Sequence, residues 1–110
     1  MRKTKQRKLE AAGWRVGSAA EFLELSPEET ALVETRLALS TALRARRAAQ
    51  HLSQTALAKR LKSSQSRVAK MEAADRTVSV DLLLRGLFAL GATPHDVAKA
   101  LQHRRRTVAA

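Results

Sequence analysis

The chain has 110 residues, no cysteine, only three aromatic residues and a formal net charge of +11 at pH 7. This length allows one small domain with extensions, and the lack of cysteine excludes disulfides and thiolate metal sites. No apolar run approaches the ~20 residues that cross a bilayer, and Glu10 and Arg15 stand where a secretory signal would be apolar, so we expect a cytoplasmic protein. Its strongly basic charge favours a polyanionic partner and therefore a nucleoid-associated location.

The charge is divided between two segments of opposite sign. Nine basic and two acidic side chains fall between residues 42 and 76, a net charge of +7, whereas six acidic residues and one arginine fall between residues 10 and 34, a net charge of −5. A strongly basic segment favours a polyanion such as DNA, and binding through phosphates would depend strongly on salt. The acidic segment is expected to face away from DNA.

Residues 1–26 are predicted to form an extension. Five of the first eight residues are basic, which predicts an arm that could track phosphates or reach a minor groove. Residues 14–16 favour a short strand, and Ser18 with Glu21 forms a capping box before a short helix. The candidate partner-binding residues of this extension are its apolar side chains, Trp14, Val16, Phe22 and Leu23. Alternatively, a cluster of apolar side chains only covers the exposed end of the long helix that follows, namely Trp14, Phe22, Leu23 and Leu25.

A long helix is predicted from Pro27 to about Gln50. Ser26 can cap it, with proline at the first helical position and Glu29 completing the capping box. Its apolar side chains fall near one line, which predicts that this line packs over the following helices. The residues of the line are Leu32, Leu39 and Leu43, with Val33 and Leu37 beside them.

Residues 52–72 predict two short helices joined by a tight turn. Ser53 and Ser64 are each placed to cap a helix, and Leu57 and Val68 fall on the inner faces. The polar side chains of the second helix then point outward, where amide, hydroxyl and cationic groups can bond base edges in a major groove. These candidate base contacts are Gln65, Ser66, Arg67 and Lys70. The alternative is an ordinary solvated helix face.

The remaining chain predicts two more helices. Ser79 caps the first, which ends at Gly91, and Thr93 opens a short last helix. The first of them is expected to complete the core with Leu83, Leu84, Leu87, Phe88 and Leu90. The sequence thus predicts an all-α protein with its main domain at residues 27–103, followed by a basic tail at residues 104–110. The arginines of that tail favour non-specific contacts over base reading.

The helical pair is similar to the Cro and phage-repressor type of helix-turn-helix, the XRE family, and the similarity extends over residues 39–92. The positions that carry these or similar residues in that family are Leu43, Arg47, Leu52, Gln54, Leu57, Ala58, Leu61, Ser64, Gln65, Ser66, Val68 and Glu72. The resemblance implies a five-helix, lambda-repressor-like domain. It also implies an ion pair of Arg47 with Glu72 that holds helices in register.

The same resemblance, together with the basic surroundings, assigns the phosphate contacts. Gln54 would bond a phosphate at the start of its helix, and a phosphate contact from Arg47 would be secondary to its ion pair. The full candidate set is Gln54, Arg47, Lys62, Ser64 and Arg76. The chain departs from the family at three helix ends, where the usual glycine is replaced by His51, Lys62 and Ala74. These positions are expected to adopt left-handed backbone conformations.

No metal, cofactor or catalytic site is predicted, because the three histidines lack nearby ligands and no serine stands in a nucleophile context. The chain is therefore expected to be a non-enzyme. One hypothesis is a stand-alone XRE-family regulator that binds an inverted repeat as a homodimer, through either Val97 and Leu101 or the strand at residues 14–16.

The other hypothesis is an antitoxin that represses its own operon and neutralises a toxin. Residues 21–47 resemble HigA-type antitoxins, which pair with toxins of the RelE/HigB kind. Because RNA-cleaving toxins are expected to be basic, the acidic segment at residues 10–34 offers a complementary surface.

Overall fold

The computed structural model describes the backbone of residues 25–109 and the side chains of residues 25–102. This part of the chain contains helices and no strand, so the all-α prediction is confirmed for it. The helices are α1 (Pro27–Ala49), α2 (Gln54–Arg60), α3 (Gln65–Glu72), α4 (Val80–Ala89) and α5 (Pro94–Ala109). The predicted strand at residues 14–16, the helix begun at Ser18 and the four candidate partner-binding residues lie outside the described residues.

Every described helix begins at the hydroxyl residue that the sequence predicts. The Ser26 hydroxyl accepts a hydrogen bond from the Glu29 amide at 3.1 Å, and the Glu29 carboxylate accepts one from the Ser26 amide at 2.9 Å. At the start of each other helix, a backbone amide donates in the same way to a side-chain hydroxyl, that of Ser53, Ser64, Ser79 or Thr93. These bonds occupy amides that have no partner inside a helix.

The first four helices all end in the same backbone motif. The residue after each C-cap has a positive φ, which is 57° at His51, 54° at Lys62, 56° at Ala74 and 90° at Gly91. The amide of the following residue then bonds a carbonyl five residues earlier, for example Asp75 to Lys70 at 3.0 Å. The left-handed conformation expected at the three non-glycine positions is therefore present, and three of these ends carry the strain of a Cβ there.

The core lies between α1, α3 and α4, with α2 packed against α3 and α5 packed against α1. Its large buried side chains come from four helices and are Leu39, Leu43, Leu57, Val68, Met71, Leu83 and Leu87. Leu84 is half-buried beside them. The most extensive contact between two helices is that of α1 with α4, followed by those of α1 with α5 and of α2 with α3. Of the predicted apolar line of α1, Leu39 and Leu43 are thus buried in the core, as the sequence predicts.

Two residues predicted to belong to the core do not lie in it. Leu32 is 48% exposed and Phe88 is 45% exposed. Leu32 lies on the correct line of α1 but about two turns before Ala38, where burial of the helix begins. Phe88 follows buried Leu87, and one residue along a helix turns the side chain by about 100°, away from the core. Periodicity identified the line of α1, but not how far along that helix the neighbouring elements reach.

The last helix is longer than predicted. The sequence favours a short helix followed by a frayed basic tail, but α5 continues to Ala109, so the backbone of the arginine run is helical. Its interior has no glycine or proline after Pro94, and alanine, leucine, glutamine and arginine all have high helix propensity. The predicted boundary at residue 104 is therefore not a boundary of secondary structure.

Candidate nucleic-acid interface

The helices α2 and α3 form a compact pair joined by residues 61–64. The inner faces of both helices are closed by Leu57 and Val68, which have no exposed surface. The opposite face of α3 is polar, and all four candidate base contacts on it, Gln65, Ser66, Arg67 and Lys70, are exposed. An isolated helix of eight residues is unstable, so α3 is held in place by its buried face while its polar face is left for a ligand.

Most of that polar face lines a shallow groove of about 340 Å³. The groove is bounded by α3 on one side and the loop before α4 on the other, and its residues are Ser64, Ser66, Arg67, Lys70, Thr77 and Val78. Sequence reasoning missed Thr77, although its position beside Arg76 is a usable signal. The Thr77 hydroxyl and amide both donate to the Asp75 carboxylate, at 2.6 and 2.8 Å, and these bonds lower the pKa of that carboxyl.

Gln65 takes a different position, at the junction of α2 and α3. Its Nε2 donates to Gln54 Oε1 at 2.6 Å, and Gln54 Nε2 donates to Glu72 Oε1 at 3.1 Å. The first candidate base contact and the first candidate phosphate contact are therefore connected to each other and to a carboxylate at the end of α3. We call Gln65, Gln54 and Glu72 the amide relay.

The amide relay ends on the ion pair of Arg47 and Glu72. Arg47 Nε and Nη2 donate to the two carboxylate oxygens at 2.5 and 3.0 Å, and Nη1 donates to the Leu52 carbonyl at 2.7 Å. The side chains are only 16% and 5% exposed. Burial raises the pKa of Glu72, but the hydrogen bonds from Arg47 and Gln54 outweigh it, and the net shift of the pKa is downward. The pair joins α1, the start of α2 and α3 as a scaffold.

The other candidate phosphate contacts surround α3. Lys62 and Ser64 are exposed at the turn before it, and the Ser64 hydroxyl also caps the helix. Arg76 is exposed in the loop after it. Its positive charge adds a small lowering of the pKa of Glu29, whose main cause is the hydrogen bonds with Ser26.

A second small groove, of about 290 Å³, lies beside the ion pair. Arg44, Arg47, Gln54 and Glu72 contribute its polar side chains. Arg44 is exposed and was not among the predicted contacts, although it stands one helical turn before Arg47. Arg44 therefore adds a positive charge to the groove beside the start of α2.

The remaining predictions about sites concern α5 and metal ions. Val97 and Leu101, one candidate dimer surface, are half-buried against the domain's own core. No group of three side chains among the described residues could hold a metal ion. In the same part of the chain, no helix has the length and apolar character needed to span a membrane.

Comparison with known proteins agrees with this geometry. A family model described as a helix-turn-helix domain matches residues 38–101, which include the second half of α1 and all of α2, α3 and α4. No curated protein and no solved structure matches the chain significantly. The family match covers more than half of the 110 residues. The chain therefore belongs to this helix-turn-helix family, and the protein is a DNA-binding regulator.

Proposed function

We propose that the protein is a sequence-specific transcriptional repressor of the XRE type, which inserts α3 into the major groove of its operator. The observation that carries this proposal is the division of α3 into two faces. Val68 and Met71 are completely buried on one face, and four side chains able to bond bases are exposed on the other. An α-helix fits the major groove, where each base pair shows a distinct pattern of donors and acceptors.

The proposed base contacts follow from the chemistry of the four exposed side chains. The Gln65 amide suits adenine, which offers a donor and an acceptor on one edge. Arg67 and Lys70 suit guanine, which offers two acceptors, and Ser66 suits either base. Because Ser66, Arg67 and Lys70 line one groove while Gln65 lies nearer α2, we expect them to contact different base pairs.

The proposed phosphate contacts flank these bases on both sides of α3. They are Gln54, Lys62, Ser64 and Arg76, which contribute affinity and orientation rather than sequence preference. Arg47 is left out of this set because its three nitrogens already donate to Glu72 and to the Leu52 carbonyl. We assign Arg47 to the scaffold, in keeping with the primary role that the sequence suggested.

We further propose that two copies bind an inverted repeat. A symmetric dimer places its two α3 helices in successive major grooves about 34 Å apart, and each half-site then presents the same bases. Since Val97 and Leu101 are packed against the core, only the outer part of that face is free for a second copy.

Binding to a randomised duplex pool tests the repressor proposal. We expect the full chain to enrich an inverted-repeat motif, and expect replacement of Gln65 and Lys70 by alanine to weaken binding to that motif and change its bases. Lys99→Ala, which removes an exposed positive charge from α5, is the matched control and should keep the motif. Unchanged affinity and preference in the double variant would contradict the assignment of α3.

A second function, as the antitoxin of a toxin–antitoxin pair resembling the HigA type, is favoured by one surface of α1. Leu32 is 48% exposed, and Glu28 and Glu29 are exposed one turn before it. An exposed leucine beside carboxylates suits a partner with a basic, partly apolar surface, as expected of an RNA-cleaving toxin of the RelE/HigB kind. The stand-alone regulator remains the alternative.

Co-expression with the adjacent open reading frame tests the antitoxin role. We expect a short basic protein that co-purifies with the full chain, and expect Leu32→Glu to weaken this complex while DNA binding is retained. Phe88→Glu alters the other large apolar side chain that is exposed among residues 25–102 and is the matched control. A gene with no toxic neighbour would favour the stand-alone regulator.

A further inference from the structure

One face of α1 carries three side chains that bond the end of α3 and the loop after it. Arg36, Ser40 and Arg47 lie on one helical line that also contains buried Leu43, with spacings of four, three and four residues. Arg36 Nε donates to the Val78 carbonyl at 3.1 Å, and the Ser40 hydroxyl donates to the Met71 carbonyl at 2.7 Å. With the ion pair of Arg47, these bonds fix the C-terminal end of α3 against α1.

Ser40 differs from Arg36 and Arg47 because it is almost completely buried, with 2% of its surface exposed. The Met71 carbonyl that it bonds already accepts a hydrogen bond from the Ala74 amide, at 3.2 Å, as part of the backbone motif that ends α3. The hydroxyl is therefore not needed to satisfy that carbonyl. Its bond instead connects α1 to α3 at a buried site, where an apolar residue would be the usual occupant.

The side chain of Met71 packs against Gly86 of α4. A Cβ built on Gly86 would lie 2.9 Å from Met71 Cε and 3.1 Å from Leu43 Cδ1. The missing side chain of Gly86 thus leaves the space that Met71 fills between α1 and α4. Close packing resists sliding of α3 along its axis, and the Ser40 bond adds a directional restraint that packing alone lacks.

We propose that Ser40 is a positioning residue for DNA reading: it sets the orientation of α3 and therefore the base preference, without contacting DNA. The proposal rests on the proposed function of α3. Gln65 lies six residues before Met71, or roughly 9 Å along the helix, so a tilt of roughly 10° about the Met71 end moves it by roughly 1.5 Å. Such a shift exceeds the tolerance of a two-bond contact with a base edge.

The test compares full-length Ser40→Ala with wild type, using a randomised duplex pool and then single duplexes that differ by one base pair. Ser40→Thr keeps the hydroxyl and is the conservative variant. Leu90→Val removes one buried methylene at the far end of α4 and is the control for lost stability. All proteins are compared at a temperature at which circular dichroism shows each to be folded.

We expect Ser40→Ala to lose about fivefold in preference for the best base at positions read by α3, the lower end of what one bidentate base contact supplies. Ser40→Thr should restore the base preference. Leu90→Val should lower the unfolding midpoint but leave the base preference unchanged. If Ser40→Ala enriches the same motif as wild type, the proposal is overturned and the Ser40 hydroxyl has only a structural role.

A second measurement separates this inference from the proposed function. Residual dipolar couplings of the backbone amides report the angle of α3 to α1 without DNA, and Ser40→Ala should change that angle whereas Leu90→Val should not. If wild type enriches no motif but the angle changes, the proposed function fails while the positioning role of Ser40 stands. An unchanged angle overturns the positioning role whatever the DNA result.

Discussion

Gln65 donates a hydrogen bond to Gln54 across the turn between α2 and α3, over 2.6 Å from Nε2 to Oε1. This direction follows from Glu72, whose carboxylate can only accept, so that Gln54 must turn its Nε2 toward Glu72 and its Oε1 toward Gln65. Gln65 is left with Oε1 as an acceptor and one N–H as a donor. That pair complements adenine and not guanine, which offers two acceptors.

We predict that Gln54→Ala reduces discrimination between adenine and guanine at the base pair read by Gln65, by about fivefold, because the Gln65 amide can then rotate. The ion pair of Arg47 and Glu72 does not need Gln54, so the fold should persist. The measurement is the ratio of dissociation constants for two duplexes that differ at that base pair.

The matched control is Lys62→Ala, which removes a proposed phosphate contact outside the amide relay. It should weaken binding to both duplexes equally. The slope of log K against log salt concentration is negative, and its magnitude should decrease by about one. If Gln54→Ala also weakens both duplexes equally, Gln54 acts only on the phosphate backbone.

The serine caps allow stability and DNA binding to be separated. Ser79→Ala removes the bond from the Leu82 amide, which is 3.0 Å long, and we expect it to lower the free energy of unfolding by about 1 kcal/mol. Ser64→Ala removes the equivalent bond from the Arg67 amide and should cost a similar amount. Only Ser64→Ala should also weaken duplex binding, because only Ser64 borders α3. Equal DNA affinity of the two variants would remove Ser64 from the proposed contacts.

The helix ends predict stabilising and destabilising substitutions of opposite sign. Ala74 has a φ of 56°, so Ala74→Gly should raise the free energy of unfolding by about 0.5–1 kcal/mol. Gly91→Ala should lower it by about 1 kcal/mol through backbone strain alone, because a Cβ there would meet no atom within 4 Å. Thermal unfolding of both variants measures the difference, and a less stable Ala74→Gly would show that Cβ contacts outweigh the strain.

Local patterns in the sequence predicted most of the fold. A helix start depends on a hydroxyl and on amides two or three residues later, so Ser26, Ser53, Ser64 and Ser79 could be identified as caps. The ends of α1, α2 and α3 could be identified by resemblance to a family that places glycine there. Such features lie within one helical turn and do not depend on how the helices pack.

The features that sequence reasoning missed depend on contacts between helices. Gln54 and Gln65 are eleven residues apart, and only the angle between α2 and α3 brings their amides together. Ser40 is a polar residue on the apolar line of α1, a signal that a buried hydrogen bond is required, but the sequence does not identify Met71 as its acceptor. The roles proposed for α3 depend on this three-dimensional arrangement.

The lowered pKa of Glu72 predicts loss of stability in acid. Because the folded-state pKa of this carboxyl lies below the ordinary value of 4.5, its contribution is complete above pH 4.5 and is lost as the pH falls through the folded-state pKa. In that window the unfolded chain binds the proton more readily. The carboxyls of Asp75 and Asp96, whose pKa values are lowered by Thr77 and Thr93, add the same sign of effect from ordinary values of 3.8.

Glu72→Gln isolates the share of this acid sensitivity that belongs to the ion pair. The variant keeps the size of the side chain but leaves Arg47 without its counter-charge, so at pH 7 it should be less stable by on the order of 2 kcal/mol, below the cost for a fully buried pair. Between about pH 5 and about pH 3, where carboxyls titrate, its unfolding midpoint should fall less steeply with pH than that of wild type. Urea unfolding across this range measures both quantities. Parallel curves for the two proteins would mean that Glu72 does not titrate in the window and that exposed carboxylates cause the acid sensitivity.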